Sequence, residues 1–140
     1  MWKSEFSTET AASPEDVWRV LTAVDGWPTW HPGYTAAHLD GPLQTGAHGS
    51  ITLARGPRRP FTVYEVDPER SLIYGGDVPG GRQRFLHRIE SIGPGRTRVT
   101  MGHTIEGPLS PLFGFLFGRI IRGHMPIALK QLVAIAEANR

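Results

Sequence analysis

The chain has 140 residues, 39% hydrophobic and 20% charged, so it is long enough for one compact domain over residues 1–140 and too short for a multidomain enzyme. Its 15 Lys and Arg exceed its 13 Asp and Glu by only two, and the basic residues are scattered, which argues against a dedicated nucleic-acid binder or a polybasic membrane binder. It contains no Cys, which excludes disulfides and thiolate metal sites and suits a reducing compartment.

The longest apolar stretch runs from about Leu112 to Met125 and is interrupted by Arg119 and Arg122. It falls short of the roughly 18 uncharged residues of a transmembrane helix, so we expect no stable membrane insertion. The first ten residues turn polar at once and hold no signal-peptide core. These features predict a cytoplasmic protein.

The first elements are predicted from periodicity and capping. Alternation over Trp2–Thr10 indicates a strand with one charged face. Ser13 precedes Pro14, and Asp16 follows three residues after Ser13, which is typical of a helix start. Apolar residues at helical spacing then predict a helix from Pro14 to about Val24.

After that helix, a tight turn or one-turn helix is predicted over the GWPTWHPG segment, Gly26–Gly33. Six further strands follow without a second long helix among them, and the last two are joined by the three-residue loop Gly93–Gly95. Their predicted ranges are Tyr34–Leu39, His48–Ala54, Phe61–Val66, Ser71–Gly75, Arg82–Ile92 and Arg96–Glu106.

The final thirty residues change period. Apolar residues recur at spacings of three and four from Leu109 to Ala136, which predicts a long amphipathic helix. Pro126 should kink or split this helix, because a proline in a helix interior removes a hydrogen bond. The order of elements predicts an α+β fold in which a curved seven-stranded antiparallel sheet wraps around the C-terminal helix, with shorter helices between strands one and two.

This order, together with the segment ASPEDVWRVLTAVDGWPTWHPG, resembles the helix-grip fold of the START-like (SRPBCC) superfamily, and within it the polyketide cyclase/dehydrase-like branch. The resemblance covers essentially the whole chain. It rests on the terminal amphipathic helix and on Ser13, Pro14, Glu15, Val17, Trp18, Leu21, Trp27, Trp30, Pro32, Val66, Asp67 and Pro68. It implies an elongated apolar cavity between sheet and helix that binds a hydrophobic small molecule without a cofactor.

Two histidines are the candidate catalytic residues. The hairpin places the odd-numbered residues of its two strands toward the helix, with His87 opposite Met101 and diagonal to His103. Imidazole titrates near neutral pH, so His87 and His103 are candidates to orient a carbonyl or hydroxyl ligand or to exchange its protons. The alternative, in which each ring only satisfies a neighbouring polar group, stays open.

The candidate ligand-binding residues are aromatic or apolar side chains expected on the cavity wall. Core packing is the alternative for each of them, and a packed cap on the first helix is the alternative for the tryptophan-rich turn. They are Trp30, Tyr34, Tyr64, Tyr74, Phe85, Met101, Phe113, Phe117 and Ile121.

No metal site, phosphate loop or Ser-His-Asp triad is indicated, because the six His lack ligand spacing and no glycine-rich loop joins a strand to a helix. The leading hypothesis is binding of an aromatic, polyketide-like or lipid molecule, with cofactor-free cyclase or dehydratase chemistry left undecided. The alternatives are a non-catalytic lipid or isoprenoid carrier or sensor and a protein-interaction module. Phe115, which lies off the apolar stripe, is a candidate contact for a second subunit, so a homodimer stays open, or for a membrane surface.

Overall fold

The structure is a computed structural model that describes residues 1–78 and 80–139, and of Phe113 and Phe117 it describes the backbone alone. The described elements, in chain order, are β1 (Trp2–Thr10), α1 (Pro14–Thr22), a 3₁₀ helix (Val24–Thr29), β2 (Tyr34–Asp40), β3 (His48–Leu53), β4 (Arg58–Asp67), β5 (Ser71–Val78), β6 (Gly81–Gly93), β7 (Arg96–Glu106), α2 (Ser110–Phe113), a π-helical turn (Gly114–Gly118) and α3 (Arg119–Ala138).

The seven strands form one antiparallel sheet in the order β1-β7-β6-β5-β4-β3-β2. The chain therefore crosses from β1 at one edge to β2 at the other through α1 and the 3₁₀ helix. The long C-terminal helix packs on one face of this sheet, here called the inner face, so the predicted α+β class and the order of its elements are confirmed.

The start of α1 follows from capping, as predicted. Ser13 accepts a hydrogen bond through Oγ from the Asp16 amide at 3.1 Å, and Pro14 occupies the first turn. The helix ends at Thr22, two residues before the predicted Val24. The indole Nε1 of Trp27 donates to the carbonyl of Leu21 at 2.8 Å, so a side chain satisfies a carbonyl at the helix end and the chain tightens into 3₁₀ geometry.

Two middle strands are longer than predicted. β4 begins at Arg58 rather than Phe61, because Arg58 and Arg59 pair with β3. β5 continues to Val78 instead of Gly75, since its end pairs with the start of β6. Cross-strand pairing thus extends both strands beyond their alternating apolar segments.

The C-terminal helix is interrupted, but not at the predicted residue. α3 runs continuously through Pro126, which is exposed, so the carbonyl freed by the proline can bond to water. The break lies at the π-helical turn, where the axes before and after it differ by 61°. Gly114 and Gly118 both lie against the indole of Trp2, where a Cβ would overlap the ring. A contact with β1 therefore accompanies the break.

We predict that Gly118→Ala lowers the free energy of unfolding by about 1–3 kcal/mol, because the added methyl group overpacks the contact with Trp2. Gly123→Ala is the matched control, because Gly123 lies in α3 and no atom lies within 4 Å of the added Cβ. Its higher helix propensity should stabilise the protein by up to about 1 kcal/mol. Urea unfolding followed by circular dichroism measures both. Equal stabilisation by the two substitutions would contradict the packing.

Candidate functional site

Aromatic rings from five strands and the 3₁₀-helix region meet on the inner face of the sheet and form what we call the aromatic cluster. Neighbouring rings are in contact from strand to strand: the centroids of His103 and Phe85 are 4.7 Å apart, those of Phe85 and Tyr74 5.2 Å, and those of Tyr74 and Trp27 4.6 Å. The members are Trp27, Trp30, Tyr34, Phe61, Tyr74, Phe85, His87 and His103.

Cross-strand register assembles this cluster. Phe85 lies directly opposite both Tyr74 on β5 and His103 on β7, so three rings share one row across the sheet. Phe85 is half-buried, whereas Tyr74 and His103 are almost completely buried. Solvent therefore reaches this row at its central ring.

Tyr34 and Tyr74 form a buried pair of phenols. Their Oη atoms are 2.7 Å apart, and burial raises the pKa of both hydroxyls above the usual value, so both are neutral at physiological pH. One hydroxyl donates to the other, which leaves one phenolic proton for a further hydrogen bond. This pair can donate to a carbonyl or enolate oxygen.

His87 is held as a neutral imidazole with a defined tautomer. Burial lowers its pKa to about 4, and Nδ1 lies 3.3 Å from the carbonyl oxygen of Leu72. Because a carbonyl oxygen can only accept, Nδ1 carries the proton and Nε2 presents a lone pair. No described residue donates to Nε2, so it is available as a hydrogen-bond or proton acceptor.

His103 is fully buried between Trp2 and Phe85, and burial lowers its pKa to about 4. Its Nε2 donates to Oε1 of Gln83 at 3.2 Å, so in the neutral ring Nδ1 is the acceptor. Among the described residues no donor reaches this buried Nδ1. His103 thus contributes a second unused lone pair.

Trp30 contributes the complementary group, a donor without an acceptor. Its side chain is 1% exposed, and its indole Nε1 has no hydrogen-bond partner among the described residues. Trp27 differs, because its Nε1 is bonded to Leu21. Trp27 therefore fits the alternative of a packed cap on α1, whereas Trp30 keeps a polar atom that a bound molecule can use.

His31 also joins this region. It lies in the predicted turn Gly26–Gly33 and is not among the candidate site residues of the sequence analysis. Its ring stacks on Tyr34 with centroids 3.9 Å apart, and its Nδ1 accepts from the Gly33 amide at 3.0 Å. Burial, followed by the nearby His124 and His87, lowers its pKa to about 3. The available signal was its position between Trp30 and Tyr34, two residues that were selected.

The predicted geometry of the hairpin agrees with the structure in its register. His87 lies opposite Met101, and Ile89, Val99 and Met101 are buried on the inner face. The two imidazoles do not touch, however: among the described contacts His103 stacks on Phe85, while His87 faces Trp30 and Tyr74. The two histidines therefore offer two separate hydrogen-bonding groups rather than one interacting pair.

The remaining candidate residues fall in different places. Met101 is buried and Ile121 packs against the core at its margin. Tyr64 lies on the outer face beneath the guanidinium groups of Arg82 and Arg84, at 5.7 and 5.4 Å, so it is not part of the aromatic cluster. The side chains of Phe113 and Phe117 lie outside the described residues.

The described part of the interior is occupied by ring contacts, and no elongated cavity is seen among its residues. Two depressions among the described residues lie away from the aromatic cluster. One, of about 470 Å³, is lined by Asp40, His48, Gly49, Ser50, Arg58 and Pro60, and the other, of about 380 Å³, by Asp77, Gly81, Arg82, Glu106 and Gly107. Among these same residues no group of three or more His, Asp or Glu side chains is arranged to hold a metal ion.

Comparison with known proteins agrees with this fold. The family described as polyketide cyclase/dehydrase and lipid transport matches residues 1–137. No curated protein matches the sequence.

Several solved structures superimpose on nearly the whole chain. The Zhui aromatase/cyclase from Streptomyces sp. R1128 gives a TM-score of 0.76 at 17% identity over 96% of this chain and 93% of its own. Norcoclaurine synthase from Thalictrum flavum, solved with dopamine and hydroxybenzaldehyde, gives 0.76 at 15% identity over 99% and 87%. The di-domain ARO/CYC BexL gives 0.73 at 18% identity over 98% of this chain and 47% of its own. At such identities the superpositions show a shared fold.

We predict that stability depends on pH through the buried histidines. Their pKa values of about 3 to 4 in the folded chain lie below the roughly 6.5 of an unfolded imidazole, so the unfolded state binds more protons between these limits. As far as these histidines are concerned, the free energy of unfolding is highest above about pH 6.5. It falls as pH decreases toward 4, by up to about 1.4 kcal/mol per pH unit for each histidine.

Urea unfolding at several pH values between 7 and 5, within the window set by these pKa values, measures the slope. His87→Gln should make this slope shallower by the equivalent of up to one proton, because one fewer histidine takes up a proton on unfolding. The exposed His48→Gln controls for loss of a surface imidazole. Equal slopes for the wild type and His87→Gln would contradict the assignment.

Proposed function

Because the chain belongs to the polyketide cyclase/dehydrase and lipid transport family, we propose that it binds a planar hydrophobic small molecule carrying carbonyl or hydroxyl groups between the sheet and the C-terminal helix. The observation that carries this proposal is the pair of buried, unpaired hydrogen-bonding atoms inside the aromatic cluster, Nε1 of Trp30 and Nδ1 of His103. Nε2 of His87 offers a further acceptor beside them.

Leaving such groups unpaired is costly. A buried donor or acceptor without a partner costs about 1–3 kcal/mol, and most buried polar groups in folded proteins are satisfied. A ligand with an acceptor for Trp30 and a donor for His103 would recover this energy. The pattern suits a molecule with ketone and hydroxyl oxygens better than a pure hydrocarbon.

The surrounding rings specify the rest of the ligand. Tyr74, Phe85 and His103 form a row of flat surfaces on which a planar ring system can stack. Their contacts fill the described interior, so binding requires the rings or the C-terminal segment to move apart. Half-buried Phe85 is the proposed point of entry. Support comes also from the fold relatives, which include two aromatase/cyclases and a synthase solved with two phenolic compounds.

Catalysis is the second candidate function, favoured by the free Nε2 of His87 together with the tyrosine pair. In a cyclisation, Nε2 would take a proton from the methylene between two ketones, and the resulting carbanion would form a carbon–carbon bond to another ketone of the same chain. The proton not used between Tyr34 and Tyr74 would pass to the new alkoxide. Confinement by the rings would supply proximity, and no cofactor enters this scheme.

A non-catalytic carrier of lipid or isoprenoid ligands is the alternative within the same site. It needs the apolar walls but not a lone pair placed for proton transfer. Native mass spectrometry of the purified protein distinguishes the two, since a carrier should retain a lipid through purification.

We predict that 2-hydroxyanthraquinone, a planar tricyclic ketone with one phenol, binds saturably in isothermal titration calorimetry. Trp30→Phe should weaken binding by about five- to tenfold, because it removes one hydrogen-bond donor worth roughly 1 kcal/mol and keeps an aromatic ring. Tyr64→Phe is the control on the outer face and should bind like the wild type. Absence of saturable binding, or equal affinity in all three proteins, would refute the site.

For catalysis, we predict that His87→Gln lowers the turnover of a linear poly-β-ketone thioester by about 10²–10⁴-fold, the usual contribution of a general base. Its affinity for 2-hydroxyanthraquinone should change little, since glutamine also offers a hydrogen-bond acceptor. Product formation is followed by liquid chromatography and mass spectrometry. A wild type that binds the anthraquinone but never converts the thioester would exclude the cyclase and leave the carrier.

A further inference from the structure

The large apolar side chains that the described surface exposes are concentrated on one segment. Apart from Met1, all of them lie on or just before α2, the π-helical turn and α3. Phe115 is the most exposed of the group, at 63%, and Ile120 follows at 59%. We call this set the apolar ridge: Leu109, Leu112, Phe115, Leu116, Ile120 and Ile127.

The ridge is separate from the side of this segment that packs into the core. The opposite side of the same segment already packs inward, with Gly114 and Gly118 against Trp2, and Met125 and Leu129 buried. The ridge continues across the π-helical turn, where the helix axis bends by 61°. The exposed side chains therefore form a second apolar face, and contiguous exposed apolar surface in a folded protein usually marks an interaction site.

Charge indicates what this face binds. From Gly107 to Ala136 the chain contains no Asp or Glu, while Arg119 and Arg122 are exposed within the ridge. The guanidinium carbon of Arg119 lies 5.8 Å from the ring centroid of Phe115, so cationic and apolar groups are interleaved. The acidic residue just before this segment, Glu106, is 3.7 Å from Arg84.

We propose that the apolar ridge docks on the surface of an anionic phospholipid bilayer. The leucine, isoleucine and phenylalanine side chains would enter the boundary between headgroups and acyl chains, and Arg119 and Arg122 would contact lipid phosphates. This combination of an apolar face and basic residues is what interfacial helices use. The inference goes beyond the proposed ligand site and does not depend on it.

A second copy of the chain is the weaker candidate for this face. In a two-fold symmetric dimer the ridge would meet a second copy of itself, so Arg119 and Arg122 would face a surface that carries the same positive charge. The segment has no acidic residue to neutralise them. An anionic lipid surface supplies that neutralisation.

The observed helices favour docking at the membrane surface over a helix that crosses the bilayer. Within the described residues no single helix is long and apolar enough to span a membrane, and only the bent pair Ser110–Leu116 and Arg119–Ala138 meets the length and composition together. In the folded chain the second half of α3 is committed to the core, where Ala128, Leu132 and Ala136 are fully buried.

Vesicle co-sedimentation of the full chain tests the proposal. We expect binding to phosphatidylcholine vesicles that contain phosphatidylglycerol, much weaker binding to phosphatidylcholine alone, and release at high ionic strength. Phe115→Ser with Leu116→Ser should reduce partitioning by at least about tenfold, because two exposed apolar side chains no longer enter the lipid. Unchanged circular dichroism and Tm would show that the variant is folded.

Arg119→Gln with Arg122→Gln should weaken binding to the anionic vesicles several-fold. Arg55→Gln with Arg59→Gln is the matched control, since it removes the same charge from exposed positions away from the ridge and should have little effect. Equal losses from the two arginine pairs would overturn the proposal, as would absence of binding to anionic vesicles. A wild-type dimer that Phe115→Ser converts to monomer, without vesicle binding, would assign the ridge to a second copy instead.

Discussion

The packing of Trp27 against the sheet is the constraint on which the rest of the inner face depends. Its indole donates to Leu21 at the end of α1 and contacts the rings of Tyr34, Phe61 and Tyr74, which belong to three strands. One side chain thus joins the crossover from β1 to β2 with the middle of the sheet. Because the 3₁₀ helix is held there, Trp30 and His31 are also directed inward. The packing of Trp27 thus positions the polar atoms that these two residues contribute to the site.

The site combines extensive burial with incomplete hydrogen bonding. Ring contacts between strands contribute packing energy, while Trp30 and His103 each keep a buried polar atom that no described residue satisfies. Folded domains have only about 5–15 kcal/mol of net stability, so such groups are a real cost. A molecule bound as proposed would complete these hydrogen bonds and offset that cost.

One face of the C-terminal segment packs in the core, and another face is exposed. Its inward face packs on Trp2 and on α1, and the same segment covers the inner side of the sheet where the ligand site is proposed. The apolar ridge lies on its exposed side, and the π-helical turn separates α2 from α3, whose second half is buried in the core. Contact with lipid, as proposed, would act directly on the segment that covers this side of the sheet.

Local rules were sufficient for much of this molecule. Ser13 as a cap, both ends of β1 and β7, and the pairing of His87 with Met101 follow from capping, alternation and loop length, which act between residues close in sequence. Tyr64 shows where such rules stop: counting alternate residues from Val66 places it inward, but the irregular register between Val63 and Glu65 reverses the phase, and it lies outside. The position of the helix break, at Gly114–Gly118 rather than Pro126, is associated with a contact to Trp2 more than a hundred residues away. Periodicity and capping determine where elements form and which way they face, whereas bulges, breaks and unpaired buried atoms arise from contacts between distant parts of the chain, which only the tertiary structure decides.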